Sequence, residues 1–167
     1  GGMQSAMGVL LALAARARTG EGQFVDVSMT RGAANMIALP LAQHQSGQRP
    51  ERGRGILGGG YACYNVYQCQ DGRWLAVGAL EAKFWHALCE ALGHIEWMED
   101  QFAGEPRQSA LRRELADLFL TRDAVEWLKE LENVDACVTL VRTVAEAAGC
   151  EWLRVDEPAP GLSATPG

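Results

Sequence analysis

The spacing of apolar positions changes several times along the chain, and each change predicts an element. From Met3 to Arg18, the residues Met3, Met7, Val9, Leu10, Leu11, Leu13 and Ala14 cover nearly the whole circumference of a helix. An all-round apolar pattern predicts a buried helix. Arg16 and Arg18 suit its C-terminal end, and Gly20 suits the position just past it. The unbroken apolar run, Val9 to Ala15, is far shorter than the ~20 residues a bilayer span needs. After turn residues Gly20 to Gly22, Phe24 to Met29 predicts a strand. Thr30 to Ser46 predicts a second helix with Ala33, Met36, Ile37 and Leu41 at helical spacing, and Pro40 should kink it or end its regular part. A buried helix followed by a strand implies an α/β layer. With no strand ahead of the helix to cover it, the chain reads as the middle of a domain.

Gly47 to Gly60, GQRPERGRGILGGG, breaks the pattern and is read as a linker between two structural units. Beyond it, two apolar runs predict strands at Tyr61 to Cys69 and Arg73 to Ala79. They are joined at Asp71-Gly72, a hairpin signal in which both turn residues take positive φ. The period then becomes helical. Ala82 to Leu92 turns Phe84, Trp85, Leu88 and Leu92 inward and is closed by Gly93, followed by a looser segment with Ile95, Trp97, Met98 and Phe102. Pro106 opens a helix with Leu111, Leu115, Leu118 and Phe119 on its buried face. Thr121 caps a helix containing Val125, Trp127, Leu128 and Leu131. Ala136 to Val141 predicts a strand, and Thr143 with Glu146 a capping box for a last helix. These aromatics and leucines sit at core spacing, which favours a core over a cofactor box. Residues 61–148 thus read as one compact α+β unit, and the Pro-, Gly- and Ser-containing tail, 149–167, as disordered.

Composition narrows the function classes. The chain has 167 residues, 48% hydrophobic and 22% charged, with formal net charge -6. That is enough chain for a real core, and the mild acidity argues against general nucleic-acid binding. Five cysteines (Cys63, Cys69, Cys89, Cys137, Cys150) form an odd set without paired spacing, and no secretory signal precedes them. Both features point to a reducing cytoplasm. His86 and Cys89 share a helix, but nothing else converges on them, so no metal is expected.

The stretch with the most chemical content is Gly55 to Trp85. A glycine run, Gly58, Gly59 and Gly60, leads into the hairpin, and the hairpin delivers the carboxylate of Glu81 at a helix start. Mobile glycines beside a fixed ionisable group suit a ligand site. Spacing alone favours the plainer reading, a loop followed by a dipole partner. Arg49, Arg52 and Arg54 in the linker could meet phosphates of a nucleotide-like ligand. Taken one by one, each reads better as part of a solvated basic linker.

LGGGYACYNVYQCQDGRWLAVGALEAKFW resembles the matching segment of the class III CoA-transferases (the CaiB–BaiF family), most closely the branch of α-methylacyl-CoA racemases. GGMQSAMGVLLALAARARTGEGQFVDVSM and NVDACVTLVRTVAEAA agree, in the same order, so the resemblance covers most of Gly1 to Ala148. Leu140 departs from it, standing where the family usually has proline. The resemblance implies an α/β fold: residues 1–47 as a helix–strand–helix piece of a Rossmann-like large domain, 48–60 as linker, 61–148 as a small α+β domain and 149–167 as a divergent tail. It implies an acyl-CoA thioester as substrate, no further cofactor, no nucleic-acid or membrane partner, and an interlocked homodimer. It implies either CoA transfer between carboxylic acids through an aspartate nucleophile, or α-proton exchange by an Asp and a His. Both of those residues would lie ahead of Gly1. By the same resemblance Glu81 matches an active-site glutamate, with a raised pKa in a partly apolar site against Trp85. Tyr64 matches a tyrosine near the acyl pocket, and Gly58, Gly59 and Gly60 match a loop that covers the site. Gly1 and Gly2 would begin the helix whose amides face the thioester oxygen. A non-catalytic interaction module that keeps the small domain is the alternative. RNA binding through the Arg-Gly linker is a weaker third, opposed by the acidic balance and the lack of a basic, aromatic-rich patch.

Overall fold

The apolar first segment does form a helix, α1 (Gly2–Thr19), closed by Gly20 in the left-handed conformation with its amide donating to Arg16. The structure is a computed structural model. It describes residues 1–49 and 52–150, so from residue 151 on the tail lies outside the described residues, as do Pro50 and Glu51 of the linker. The chain divides into two compact units, Gly1–Glu51 and Arg52–Gly167.

In the first unit, α1 is followed by an extended segment and two short helices, α2 (Met29–Met36) and α3 (Ala38–Gln45). Two expectations are corrected. Phe24 to Met29 is not a strand: residues 21–28 carry no regular structure, because no described segment lies beside them to complete a ladder. Val25 instead packs beside Gly8 of α1, its Cγ1 2.7 Å from where a Cβ on that glycine would stand. The single helix from Thr30 is two. It breaks at Ile37 (φ −101°, ψ 19°) because Pro40 has no amide for the Met36 carbonyl and its ring crowds that carbonyl. Pro40 is then tolerated in the first turn of α3. Ser28 caps α2, accepting from the Arg31 amide at 3.3 Å. The expected burial of α1 is also corrected: no described residue of this unit is buried, and Met3 remains 85% exposed.

The second unit carries the core. Strands β1 (Tyr64–Gln68), β2 (Trp74–Gly78) and β3 (Val138–Leu140) form an antiparallel sheet in the order β1-β2-β3. Tyr67 pairs with Leu75, and Leu75 with Leu140, so one face turns Tyr67, Leu75 and Val77 inward. Against it lie α4 (Ala82–Leu92), a 3-10 helix (Ile95–Asp100), α5 (Arg107–Phe119) and α6 (Ala124–Glu130). They contribute Trp85, Leu88, Trp97, Leu111, Leu115, Phe119 and Trp127 to one cluster. The Phe119 ring stacks on Tyr67 at 5.3 Å and meets Trp127 edge-on at 5.3 Å. The polar ends of the buried aromatics are satisfied. Trp85 Nε1 donates to the Trp97 carbonyl, Trp127 Nε1 to that of Phe119 and the Tyr67 hydroxyl to that of Ala62. Val125, grouped with the core by spacing, is exposed.

Local signals set the remaining details. Gly72 alone takes positive φ in the hairpin (+78°). Its amide donates to Cys69, and the Cys69 amide to Arg73, which makes a three-residue loop with a glycine bulge rather than a two-residue turn. Asp71 therefore stays at negative φ. Its carboxylate accepts from the Arg73 amide (3.1 Å) and reaches the Ala124 amide at the start of α6 (3.3 Å). Asp123, not Thr121, is the cap residue of α6: the Thr121 hydroxyl turns back to the Leu118 carbonyl, and Glu126 accepts from the Asp123 amide. The last helix, α7 (Val144–Ala148), has the expected capping box, with Glu146 N to Thr143 Oγ1 at 3.2 Å and Thr143 N to Glu146 Oε2 at 2.8 Å.

Candidate functional site

An antiparallel sheet with one covered face leaves its other face to solvent or to a ligand. Here that face carries Tyr64, Val66, Ala76, Gly78 and Thr139, since side chains alternate along each strand. The glycine loop rises along one side and Cys137 along the other, enclosing a trough of ≈ 460 Å³. None of its lining residues carries a formal charge at neutral pH, and Leu57, Val66 and Ala76 make it largely apolar.

The glycine run is not the slack segment that its composition suggests. The amides of Gly58 and Gly60 both donate to the Gly55 carbonyl, at 2.9 and 3.2 Å. Gly59 has φ +80°, where glycine is unstrained. A Cβ on Gly60 would lie 2.2 Å from the Arg54 carbonyl oxygen, so only glycine lets the two backbones approach this closely. Two side chains that the sequence reading passed over hold the loop, Asn65 from within the trough lining and Arg112 from outside it. Asn65 Nδ2 donates to the Gly59 carbonyl at 3.0 Å, and Arg112 of α5 donates to the Gly60 carbonyl at 2.7 Å. Gly58 and Gly59 line the trough with Tyr64, while Gly60 is buried behind the loop.

Glu81 stands at the N-cap of α4, exposed, with extended backbone angles and no side-chain cap hydrogen bond. The plainer role, a carboxylate satisfying the first-turn amides, is therefore not the one it plays here. Trp85, its expected apolar neighbour, is fully buried. Glu81 does not line the trough but lies near its edge, where its charge acts on Cys137. Partial burial first, then the charges of Asp135 and Glu81, push the Cys137 thiol up, with Lys83 opposing them. The backbone delivering Glu81 is fixed from below. The buried Gln101 amide donates to the carbonyls of Ala79 (3.1 Å) and Leu80 (2.9 Å).

Gly1 and Gly2 belong to the other unit, at the start of α1, with Gly1 in the N-cap position and no side-chain cap. The first amides of a helix are those its own ladder leaves over. Cys137 and Thr139 reach the trough only through the pairing of β2 with β3, which brings residues 138–140 beside 75–77. No short-range signal announces that pairing. Asn65, an amide in a strand, was the one local oddity that could have been noticed. Among the described residues no group of His, Cys, Asp and Glu could hold a metal ion, and no helix is long and apolar enough to cross a membrane.

Comparison with known proteins agrees along the whole chain. It is 34% identical over 184 aligned positions to the α-methylacyl-CoA racemase of Mus musculus, covering 99% of this chain and 47% of that protein. It is 34% identical to the Homo sapiens racemase over 87% of this chain and 38% of that protein. The succinyl-CoA–D-citramalate CoA-transferase of Chloroflexus aurantiacus is 33% identical over 68% of this chain and 29% of that protein. The chain thus spans less than half the length of these curated relatives. Among solved structures, Rv3272 of Mycobacterium tuberculosis superposes with TM-score 0.64 at 25% identity, over 90% of this chain and 40% of that one. The family described as CoA-transferase family III matches residues 1–157, running past Ala148, where the sequence reading ended the resemblance. The chain belongs to the CoA-transferase family III.

Proposed function

We propose that this chain is part of an acyl-CoA enzyme whose reaction is α-proton exchange on a 2-methylacyl-CoA. The observation that carries this reading is the uncharged, largely apolar trough beside the exposed Glu81 carboxylate. A hydrocarbon acyl group can occupy such a surface, whereas the free carboxylate of a succinyl-type acyl group would find no cation in its lining. The racemase relatives, matched over 99% and 87% of this chain, support the same choice. CoA transfer between carboxylic acids is the second reading, supported by the citramalate transferase at 33% identity.

Removing a proton beside a thioester carbonyl puts negative charge on the thioester oxygen. Backbone amides at the start of α1, at Gly1 and Gly2, suit that charge. The Asp and His implied by the resemblance belong, in this reading, to the rest of the protein, and none of His44, His86 and His94 takes their place. Glu81, not engaged in capping, is available to share protons with that pair. Tyr64 and the loop Gly58 to Gly60 border the acyl group. The first unit is then a piece of a Rossmann-like large domain, and the whole protein an interlocked homodimer in the cytoplasm. Five free cysteines fit a reducing compartment. The isolated chain, without that Asp and His, is inactive in both racemisation and CoA transfer on this reading.

The test uses the full-length protein. Deuterium incorporation at the α-carbon of a 2-methylacyl-CoA and CoA transfer from succinyl-CoA are measured side by side. Exchange without transfer is expected. Glu81→Gln keeps size and loses charge. It should slow exchange by ~10²-fold and cost only ~0.3–1 kcal/mol of stability, as for an exposed first-turn charge. Parental exchange rates in Glu81→Gln would make Glu81 a structural residue and move the site off this hairpin.

A further inference from the structure

We infer that Asn65 and Arg112 are positioning residues which hold the glycine loop in its raised position beside the trough and so set the affinity for the acyl group. The inference rests on the reading of the trough as the acyl site. The loop presents two outward carbonyls, Gly59 and Gly60, and both are taken by side chains from elements outside the loop. Asn65, on β1, donates through Nδ2 to Gly59 (3.0 Å), while its Oδ1 accepts the Val66 amide (2.8 Å), which fixes the direction of the amide group. Arg112, on α5, donates to Gly60 (2.7 Å) and, at longer range, to Gly59 (3.4 Å). Its second terminal nitrogen is held by Ser109 Oγ (2.9 Å) and Glu105 (3.3 Å). Glu105 also accepts the Ser109 amide (3.1 Å). The guanidinium is thus aimed by a fixed frame, and a planar fork held in place loses little freedom on binding two acceptors.

The consequence concerns binding more than chemistry. Gly58 and Gly59 form one wall of the trough. Glu81 follows β2 at the same open end of the hairpin, where Tyr64 pairs with Gly78, but the hydrogen bonds of Asn65 and Arg112 run to the loop carbonyls and not to Glu81. Loosening the clamp should therefore act first on the wall, and so on binding. A loop already held in its bound conformation binds more tightly because less ordering remains to be done.

Two measurements test this. The first is amide hydrogen exchange over residues 55–61 in the 167-residue chain. Asn65→Asp, which places a carboxylate oxygen against the Gly59 carbonyl, and Arg112→Met, which keeps the stem and removes the fork, should each speed exchange at Gly58 and Gly60 by tenfold or more. Arg112→Lys, which can restore one donor, should recover part of the protection. Arg107→Lys, a change on the same helix in a residue bonded to Asp100 and Glu114, should leave it unchanged. The second is steady-state α-proton exchange in the full-length protein. KM should rise about tenfold in Arg112→Met, a residue outside the trough lining, with kcat within twofold of the parent. Unchanged loop exchange in both variants would overturn the inference, and so would a loosened loop with unchanged KM. If the parent protein proves inactive on 2-methylacyl-CoA, the proposed function falls by itself, and the hydrogen-exchange result alone decides the clamp.

Discussion

Gly60 shows how a single absent side chain shapes the candidate site. The 2.2 Å separation between its notional Cβ and the Arg54 carbonyl oxygen involves backbone on both sides, so no rotamer change can relieve it. Gly60→Ala should therefore destabilise the second unit by ~1–3 kcal/mol, the range for forced overpacking. Thermal melting followed by tryptophan fluorescence reads the change. An unshifted melt would mean the loop can relax outward. The buried thiols make a second point at this scale. Burial, then Glu96, raises Cys89 to about 12; burial, then Asp71, raises Cys69 to about 11. An unfolded thiol ionises near ~8.5. Between those values the folded state holds protons that the unfolded state has released, so unfolding gains on folding as pH rises. The stabilisation is complete below pH ~8.5 and is lost as pH climbs through the folded values. The melting temperature should fall steadily from pH 9 to 11, and less steeply in Cys89→Ala. Equal slopes in the two proteins would show that the Cys89 thiol does not take part.

Elements were legible where the chain signals locally, and obscure where a partner decides. α4 ends at Gly93 and α7 begins at the Thr143–Glu146 box because those signals act within one turn of helix. The strand expected at Phe24 to Met29 failed for the opposite reason. β-propensity states only that a segment suits a sheet, and no described segment pairs with this one. The sequence reading placed the cap at Thr121, but its hydroxyl bonds Leu118 and Asp123 takes the cap position. The same logic governs the site. Gly58, Gly59 and Tyr64 are near neighbours in sequence and meet at the trough, whereas Cys137 and Thr139 arrive from a distant strand. Distant elements are joined beneath the site by two buried glutamines. Gln108 accepts the Ala62 amide ahead of β1 (2.8 Å) and donates to the Gln101 carbonyl (3.2 Å), while Gln101 holds Ala79 and Leu80 after β2. Gln108→Leu would leave the Ala62 amide buried without its acceptor. A cost on the order of 3 kcal/mol is expected, the upper end for one unsatisfied buried group. Urea denaturation measures it, and a loss below about 0.5 kcal/mol would mean that water replaces the side chain.

At the scale of the whole molecule the two units differ in what holds them. The second unit buries Trp85, Trp127, Phe119, Leu111 and Leu115, and has the core of a self-sufficient domain. The first unit buries no described residue, and α1 leaves Met3, Met7, Leu10 and Leu11 exposed along one stripe. An apolar stripe of this kind on a helix is normally covered. In the proposed full-length enzyme the rest of the large domain and a second chain would do so. In the 167-residue chain alone the cover must come from other copies, so the chain should self-associate as its concentration rises. The first unit holds no tryptophan, and the four described ones (Trp74, Trp85, Trp97, Trp127) lie in the second, so their fluorescence reports that unit. The paired substitution Met7→Lys with Leu10→Lys places two charges in the stripe. Sedimentation velocity should then show a shift toward monomer, while the tryptophan-monitored melting temperature stays within about 1 °C of the parent, as expected for surface changes outside the unit that melts. If association persists in the double variant, the stripe is not its cause. If the tryptophan melt falls by several degrees, the second unit depends on the first for stability and is not self-sufficient.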